Sequence, residues 1–180
     1  MTVRRLLSAD AEQFQAVRLR GLSEWPTAFA SSAEEEAGTP LTVVAERLED
    51  NPDGAMFGRF DGERLLGVVG VQREAMKKLA HKAVVWGMYV IPEARRSGVG
   101  RALLRQALRY AATELGVEQV QLGVNTTNRA ALELYRSAGF EVFGTEPGFL
   151  RVDGVLHDEH HMVCRLPGVD SRSRGSARES

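Results

Sequence analysis

One cysteine in 180 residues is too few for a disulfide framework or a cysteine-rich zinc site. Cys164 stands among alternating apolar residues, the setting of a buried strand thiol rather than a nucleophile. No apolar run approaches the roughly 20 residues that a membrane helix needs. The N-terminus lacks the apolar core of a secretory signal. Net charge is −1, so no field of one sign draws the whole chain to nucleic acid or to an anionic membrane. These absences predict a cytoplasmic protein without a nucleic-acid or membrane partner. The length suits one domain with a substantial core.

What is present is concentrated in Val90-Ile-Pro-Glu-Ala-Arg-Arg-Ser-Gly-Val-Gly-Arg-Ala-Leu-Leu104. An apolar strand gives way to a basic, glycine-punctuated turn and then to an amphipathic helix. Gly98 and Gly100 tolerate positive φ and leave room for a ligand against the backbone. The unpaired N–H groups and positive dipole end of the following helix favour an anion. Arg95, Arg96 and Arg101 add charge at the same place. The implied chemistry is capture of a phosphate or pyrophosphate. A Walker loop is excluded because no Gly-x-x-x-x-Gly-Lys-Ser/Thr occurs. A dinucleotide fingerprint is excluded because Leu103 stands where its third glycine would be.

A second segment, Asn128-Arg-Ala-Ala-Leu-Glu-Leu-Tyr135-Arg-Ser-Ala-Gly139-Phe140, predicts a short helix with Asn128 near its cap and Gly139 as a left-handed stop. Ala131, Leu134, Tyr135 and Ala138 share one face. The two segments, with a strand between them, resemble the GNAT family of N-acetyltransferases. Arg95-x-x-Gly98-x-Gly100 is similar to its acetyl-CoA pyrophosphate loop, and Asn128 to Phe140 is similar to its second signature.

The rest of the chain alternates strand and helix. Strands are predicted at Thr2–Leu6, Ala55–Phe60, Arg64–Arg73, Ala83–Val90, Glu118–Val124, Phe140–Glu146, Phe149–Val152 and Val155–Leu166. Asp61-Gly62 and Asp153-Gly154 mark hairpin turns. Helices are predicted from Asp10 to about Ser23, from Thr39-Pro40 to about Asp50, and over Gly98–Leu115. Asp10 and Gln13 are spaced as a capping box for the first. Trp25–Ala37 reads as irregular. Residues 167–180 read as a disordered tail behind a domain spanning 1–166.

The resemblance implies a single-domain α/β (α+β) fold: a mixed, mostly antiparallel sheet with a splayed parallel pair in the middle and helices on both faces. It implies that the pantetheine arm of acetyl-CoA enters the splay and pairs with the strand edge at Met88, Tyr89 and Val90. The pyrophosphate would rest on Arg95, Arg96, Ser97, Gly98, Val99, Gly100 and Arg101, with Asn128 and Tyr135 also at the cofactor. Acetyl-CoA would be a co-substrate, with no metal. The reaction implied is direct acetyl transfer to a primary amine of a small molecule or a protein, by a monomer or homodimer. An amine of pKa about 10 must first lose a proton. A backbone N–H near Met88–Val90 would stabilise the oxyanion, and Tyr135 would serve the departing thiolate.

Many family members carry a glutamate on the strand before the loop, but Ala83–Val90 has no carboxylate. Glu74 is a candidate base, directly or through water; His81 has a suitable ordinary pKa; Asn125 can orient a water; a water chain without a single base is the remaining option. On the acceptor side the resemblance points to Trp25, Phe29, Glu34–Glu36 and Asp158-Glu159, an acidic and aromatic setting suited to a cation. Zinc binding by His157, His160 and His161 is opposed by alternation, which puts His160 on the other strand face. The missing strand glutamate leaves a second reading open, a non-catalytic acyl-CoA-binding sensor.

Overall fold

The computed structural model describes residues 1–167, so the predicted tail lies, past Pro167, outside the described residues. The strands are β1 (Thr2–Arg5), β2 (Gly54–Asp61), β3 (Arg64–Arg73), β4 (Lys82–Val90), β5 (Gln119–Asn125), β6 (Glu141–Val152) and β7 (Val155–Arg165). They form one seven-stranded sheet in the order β1-β2-β3-β4-β5-β7-β6. Both Asp-Gly pairs close hairpins, with Gly62 at φ +58 in one, and Asp153 and Gly154 at φ +48 and +80 in the other. Left-handed backbone at these positions matches the twist of the strands that the turns join. The stretches predicted as two strands, Phe140–Glu146 and Phe149–Val152, form the single strand β6. A register shift between Glu146 and Leu150 absorbs the interruption.

Only β4 and β5 run parallel, and their ladder is short: Lys82 pairs with Gln119, Ala83 with Val120 and Val84 with Gln121. Beyond Val84 the two strands part. The cause lies in β4. On β3, Val68 pairs with Tyr89 and Gly70 with Trp86, so β4 carries one residue more than its partner between those pairs. Gly87, at φ +62, supplies the left-handed backbone that such a bulge needs. The extra residue bends β4 and inverts its alternation. Trp86 and Tyr89 share one face, and Met88 and Val90 take the other.

Helices cover both faces. On the Tyr89 face lie α1 (Ala11–Glu24), α2 (Ala33–Ala37) and α3 (Leu41–Arg47); Gly21 of α1 packs directly on the Tyr89 ring. On the Met88 face lie α4 (Val99–Thr113) and α5 (Arg129–Ser137). Leu103 and Ala107 of α4, Val68 of β3, Val120 of β5 and Met162 of β7 are fully buried there and elsewhere in the core. The exposed stripe Arg101, Arg105 and Arg109 keeps α4 amphipathic. Cys164 is a buried free thiol, as its alternating neighbours imply.

Three local expectations are corrected. Asp10 does not cap α1: its carboxylate accepts two hydrogen bonds from Arg4, each 2.7 Å, and one from the Leu7 amide at 2.8 Å. Gln13 accepts from the Leu65 amide on β3 instead. Helix α3 ends at Arg47, short of Asp50, and Pro40 rather than Thr39 occupies its N-cap. Trp25–Ala37 is not wholly irregular; it holds a 3₁₀ turn at Pro26–Ala28 and the one-turn α2, capped reciprocally by Ser32 and Glu35.

Candidate active site

The basic turn between β4 and α4 forms a cradle of N–H groups. Gly98 is the N-cap of α4 at φ +83, and Arg96 is also left-handed at φ +58. The Ser97 hydroxyl braces the turn by donating to the Ala94 carbonyl at 2.7 Å. Among the described residues, no backbone N–H from Arg96 to Arg101 has a hydrogen-bond acceptor. Successive unpaired amides at a helix N-terminus attract an anion through their aligned dipoles. Arg96 and Arg101 are exposed beside them. Val99 is buried and contributes only backbone.

Two members of the turn have other duties. The Arg95 guanidinium turns away from the cradle, donating to the Val90 carbonyl at 3.0 Å and to Glu24 at 2.9 Å. It ties the turn to the end of β4 and to α1. At Gly100 a Cβ would lie 3.3 Å from Leu134 of α5 and 3.4 Å from Met88 of β4. Glycine there serves close packing between α4, α5 and β4, whereas Gly98 has open space around it and serves backbone conformation.

Tyr135 projects from α5 toward the parted strands. Its hydroxyl donates to Met88 Sδ at 3.8 Å, and its ring meets Phe140 edge-on with centroids 5.9 Å apart. Burial pushes its pKa up to about 12, so it stays a neutral donor at physiological pH. Asn128 caps α5, accepting from the Ala131 amide at 3.2 Å. Asn125 is buried at the end of β5 and clamps the backbone. Its Oδ1 accepts from the Thr127 amide and hydroxyl, and its Nδ2 donates to the Thr27 carbonyl at 3.1 Å. Three of its four hydrogen bonds are made inside the protein and hold the 3₁₀ turn against β5, which leaves one Nδ2 proton to donate.

Glu74 does not join this group. It follows Arg73, which pairs with Ala83, and its amide donates to Lys82 at the start of β4. From Lys82 to Met88 the strand runs roughly 20 Å at about 3.3 Å per residue. Antiparallel pairing therefore puts Glu74, and His81 with it, at the wrong end of β4 to serve as a base at Met88–Val90.

Most of the remaining candidates lie on the face opposite Tyr135; alternation along β7 puts Asp158 and His160 on the Tyr135 side. Glu34 is exposed, while Glu35 is consumed in the α2 cap and Glu36 in an ion pair with Arg18 at 2.8 Å. Trp25 and Phe29 each lie near an arginine, Arg95 at 5.7 Å and Arg18 at 4.9 Å. Asp158 accepts from the Gly148 amide at 2.8 Å. Glu159 pairs with Asn125 across β5 and β7, and its carboxylate lies over Gly123, in the space a side chain there would fill. Desolvation raises its pKa and Glu146 adds to the rise, against His161, which lowers it. His160 and His161 take opposite strand faces, one bonded to Thr145 and the other to Glu146. A partly open groove between α1, α3 and the sheet is lined on this side by Arg18, Glu36 and Trp86.

Three features were not anticipated from the sequence. The Gly87 bulge had a signal, since a lone glycine inside a strand marks a bulge or a close approach. The Glu24 hub had none: it binds the Tyr89 hydroxyl at 2.7 Å and Arg95 at 2.9 Å, partners far away in the chain. The approach of Glu159 to Gly123 depends on strand register alone.

The fold is thus an α/β one whose mixed sheet has one parallel pair, opening beside a helix N-terminus with a neutral buried phenol at the opening. The chain belongs to the acetyltransferase (GNAT) family, whose profile matches residues 19–140. It is 31% identical over 158 residues to the N-alpha-acetyltransferase RimI of Mycobacterium tuberculosis, covering 86% of this chain and 87% of that one. It is 30% identical over 121 residues to the mycothiol acetyltransferase of Segniliparus rotundus, covering 65% of this chain and 45% of that protein; the chain thus spans about half the length of such relatives. The fold is shared with yncA of Salmonella typhimurium, solved with its cofactor acetyl-CoA, at a TM-score of 0.78, 18% identity and coverage of 97% and 98% of the two chains. No helix among the described residues is long and apolar enough to cross a membrane.

Proposed function

We propose that this protein transfers the acetyl group of acetyl-CoA to a primary amine by direct attack, with both substrates bound at the opening between β4 and β5. The observation that carries the reading is Tyr135, a buried neutral phenol directed at the parted end of β4, beside the N–H cradle at α4. The Arg96–Arg101 amides suit the pyrophosphate of CoA. The unpaired edge of β4 suits the amides of its pantetheine arm, since open N–H and C=O groups seek such partners. Ile91 donates to Leu66 on β3, so by alternation Val90 faces the opening; its carbonyl is held there by Arg95.

Magnitudes define the part Tyr135 plays. A free thiol has a pKa of about 8.5, against about 12 for this phenol. Complete proton transfer to the departing thiolate, taken alone, would cost roughly 5 kcal/mol. Tyr135 therefore acts by hydrogen bonding, stabilising the sulfur's developing charge, and passes a proton on only as the amine surrenders its own. The N-alpha-acetyltransferase from M. tuberculosis matches along most of both chains and supports an α-amine as the acceptor class.

The test is product identification: acetyl-CoA is incubated with small amines and with peptides bearing free N-termini, and the products are weighed by mass spectrometry. A gain of one acetyl group on an amine is the expected result. Tight acetyl-CoA binding with no acetylated amine would replace the enzyme by an acyl-CoA sensor.

A further inference from the structure

Strand β4 carries no carboxylate, and Glu74 and His81 lie at its far end from Met88–Val90. Strand register brings one other carboxylate to the opening. We propose that Glu159, carried by β7 and laid across Gly123 of β5, is the general base that takes the proton from the acceptor amine. The inference deepens the acetyl-transfer reading and rests on it.

The position follows from pairing. Val84 and Gln121 form the last pair of the parallel ladder, so Gly123 and Asn125 line the opening on the β5 side. Glu159 pairs with Asn125, and alternation puts Gly123, Asn125, Glu159 and His161 on one face. Asn125 bonds to Thr27, just after α1, so this is the α1 face. Cys164, of the opposite parity, has its sulfur 3.7 Å from the Ala138 carbonyl at the end of α5. Base and phenol thus stand on opposite faces of the sheet with the opening between them. An amine entering from the α1 face meets Glu159 first, and a thiolate leaving on the α5 face meets Tyr135. That arrangement separates the incoming nitrogen from the departing sulfur at the acetyl carbon.

The state of Glu159 fits the task. Its side chain is 16% exposed and makes no hydrogen bond among the described residues, where its nearest ionic partner is His161 Nδ1 at 4.0 Å. The titratable groups around it are His161 on its own strand and Glu146 on β6, which hold each other at 3.1 Å; β5 contributes only the uncharged Gly123 and Asn125. A carboxylate short of hydrogen bonds and partly desolvated is more basic than one in water, which supports the geometry. Gly123 is the enabling residue, because a Cβ there would displace the carboxylate.

The protons balance. Glu159 takes one proton from the ammonium form of the acceptor. The nitrogen lone pair then forms the C–N bond to the acetyl carbon, and the C–S bond breaks with its electron pair on sulfur. A second N–H proton ends on that sulfur through the Tyr135 hydroxyl, leaving an amide and a thiol. The proton on Glu159 passes to solvent on the His161 side.

The experiment is a pH profile of kcat and kcat/KM, on an amine the unaltered chain acetylates, for the wild type, Glu159→Gln and Gly123→Ala, with calorimetric acetyl-CoA affinity for each. The expected result is a kcat lower by roughly 10²–10⁴-fold in Glu159→Gln, loss of the acid limb seen in the wild type, and unchanged acetyl-CoA affinity. Gly123→Ala should lower kcat in the same direction, since it moves the carboxylate without removing it. A Glu159→Gln enzyme that keeps kcat and its acid limb, or that changes only KM for the amine, overturns the base. A wild type that acetylates no amine overturns the transfer reading and the base with it.

Discussion

Met88 Sδ lies 3.8 Å from Tyr135 Oη because β4 holds one residue more than β3 between Trp86 and Tyr89. Without that residue, alternation would turn Met88 toward α1 and Tyr89 toward α5, and Tyr135 would face a different side chain. Gly87 makes the insertion possible by adopting φ +62. One backbone position therefore opens the parallel pair and also selects which side chains line each face of the opening.

Gly87→Ala tests this directly. A Cβ at Gly87 has space, with only Arg18 Nη1 at 3.6 Å, so its cost is conformational. Left-handed backbone costs an ordinary residue about 1–2 kcal/mol. Denaturant unfolding should show a loss of that order, with kcat reduced as the bulge relaxes. Unchanged stability would mean that the bulge tolerates any residue.

Tyr135→Phe should lower kcat by roughly 10²–10⁴-fold while leaving acetyl-CoA affinity nearly unchanged, since only a bond to a weak thioether acceptor is lost in the free protein. Steady-state kinetics beside calorimetry separates the two. Full turnover would return Tyr135 to a packing role against Phe140.

For the pyrophosphate cradle, Arg101→Ala is the clean probe, because Arg101 is exposed and has no ionic partner among the described residues, whereas any side chain at Gly100 presses on Leu134 and Met88. An exposed charge pair contributes about 0.2–1 kcal/mol, so acetyl-CoA binding should weaken roughly 1.5- to 5-fold at low salt. The difference from wild type should shrink as salt is added. A difference that grows with salt, or no difference at low salt, would move the phosphates elsewhere.

Acid stability reports on Asp10. The Arg4 guanidinium holds its carboxyl below the usual carboxylate range, and the Leu7 amide adds to the effect. A carboxyl with a depressed folded pKa adds stability that is fully present above its unfolded pKa of about 3.9 and is lost as pH falls through the folded value. Asp10→Asn should lower Tm at pH 7, by on the order of 1 kcal/mol in stability given how exposed Arg4 is. The wild type and variant curves should converge as pH falls through the depressed folded pKa of Asp10. Parallel curves down to that pH would show that the pair adds nothing.

Much of this architecture is legible in the chain because its signals are local. Asp61-Gly62 and Asp153-Gly154 announce their hairpins through backbone that few residues adopt. The Gly98 turn and the Asn128-capped helix depend on neighbours a few residues away. What escapes a linear reading is set by register and distant partners. Glu74 stands near β4 in sequence, yet antiparallel pairing carries it to the far end. Arg95 belongs to the phosphate-loop pattern, yet its side chain is drawn to Glu24 of α1. Glu159 has no motif of its own and reaches the opening only because β7 pairs with β5 opposite a glycine.

The proposed transfer makes cleavage of acetyl-CoA at the opening between β4 and β5 depend on the amine. The direct measurement is release of free thiol from acetyl-CoA by the wild type and Tyr135→Phe, with and without a peptide bearing a free α-amine. The wild type should release thiol in step with acetylated peptide and little without the amine, and the variant should be at least roughly 10²-fold slower. Thiol release that ignores the amine, or that Tyr135→Phe leaves intact, would contradict the proposed transfer.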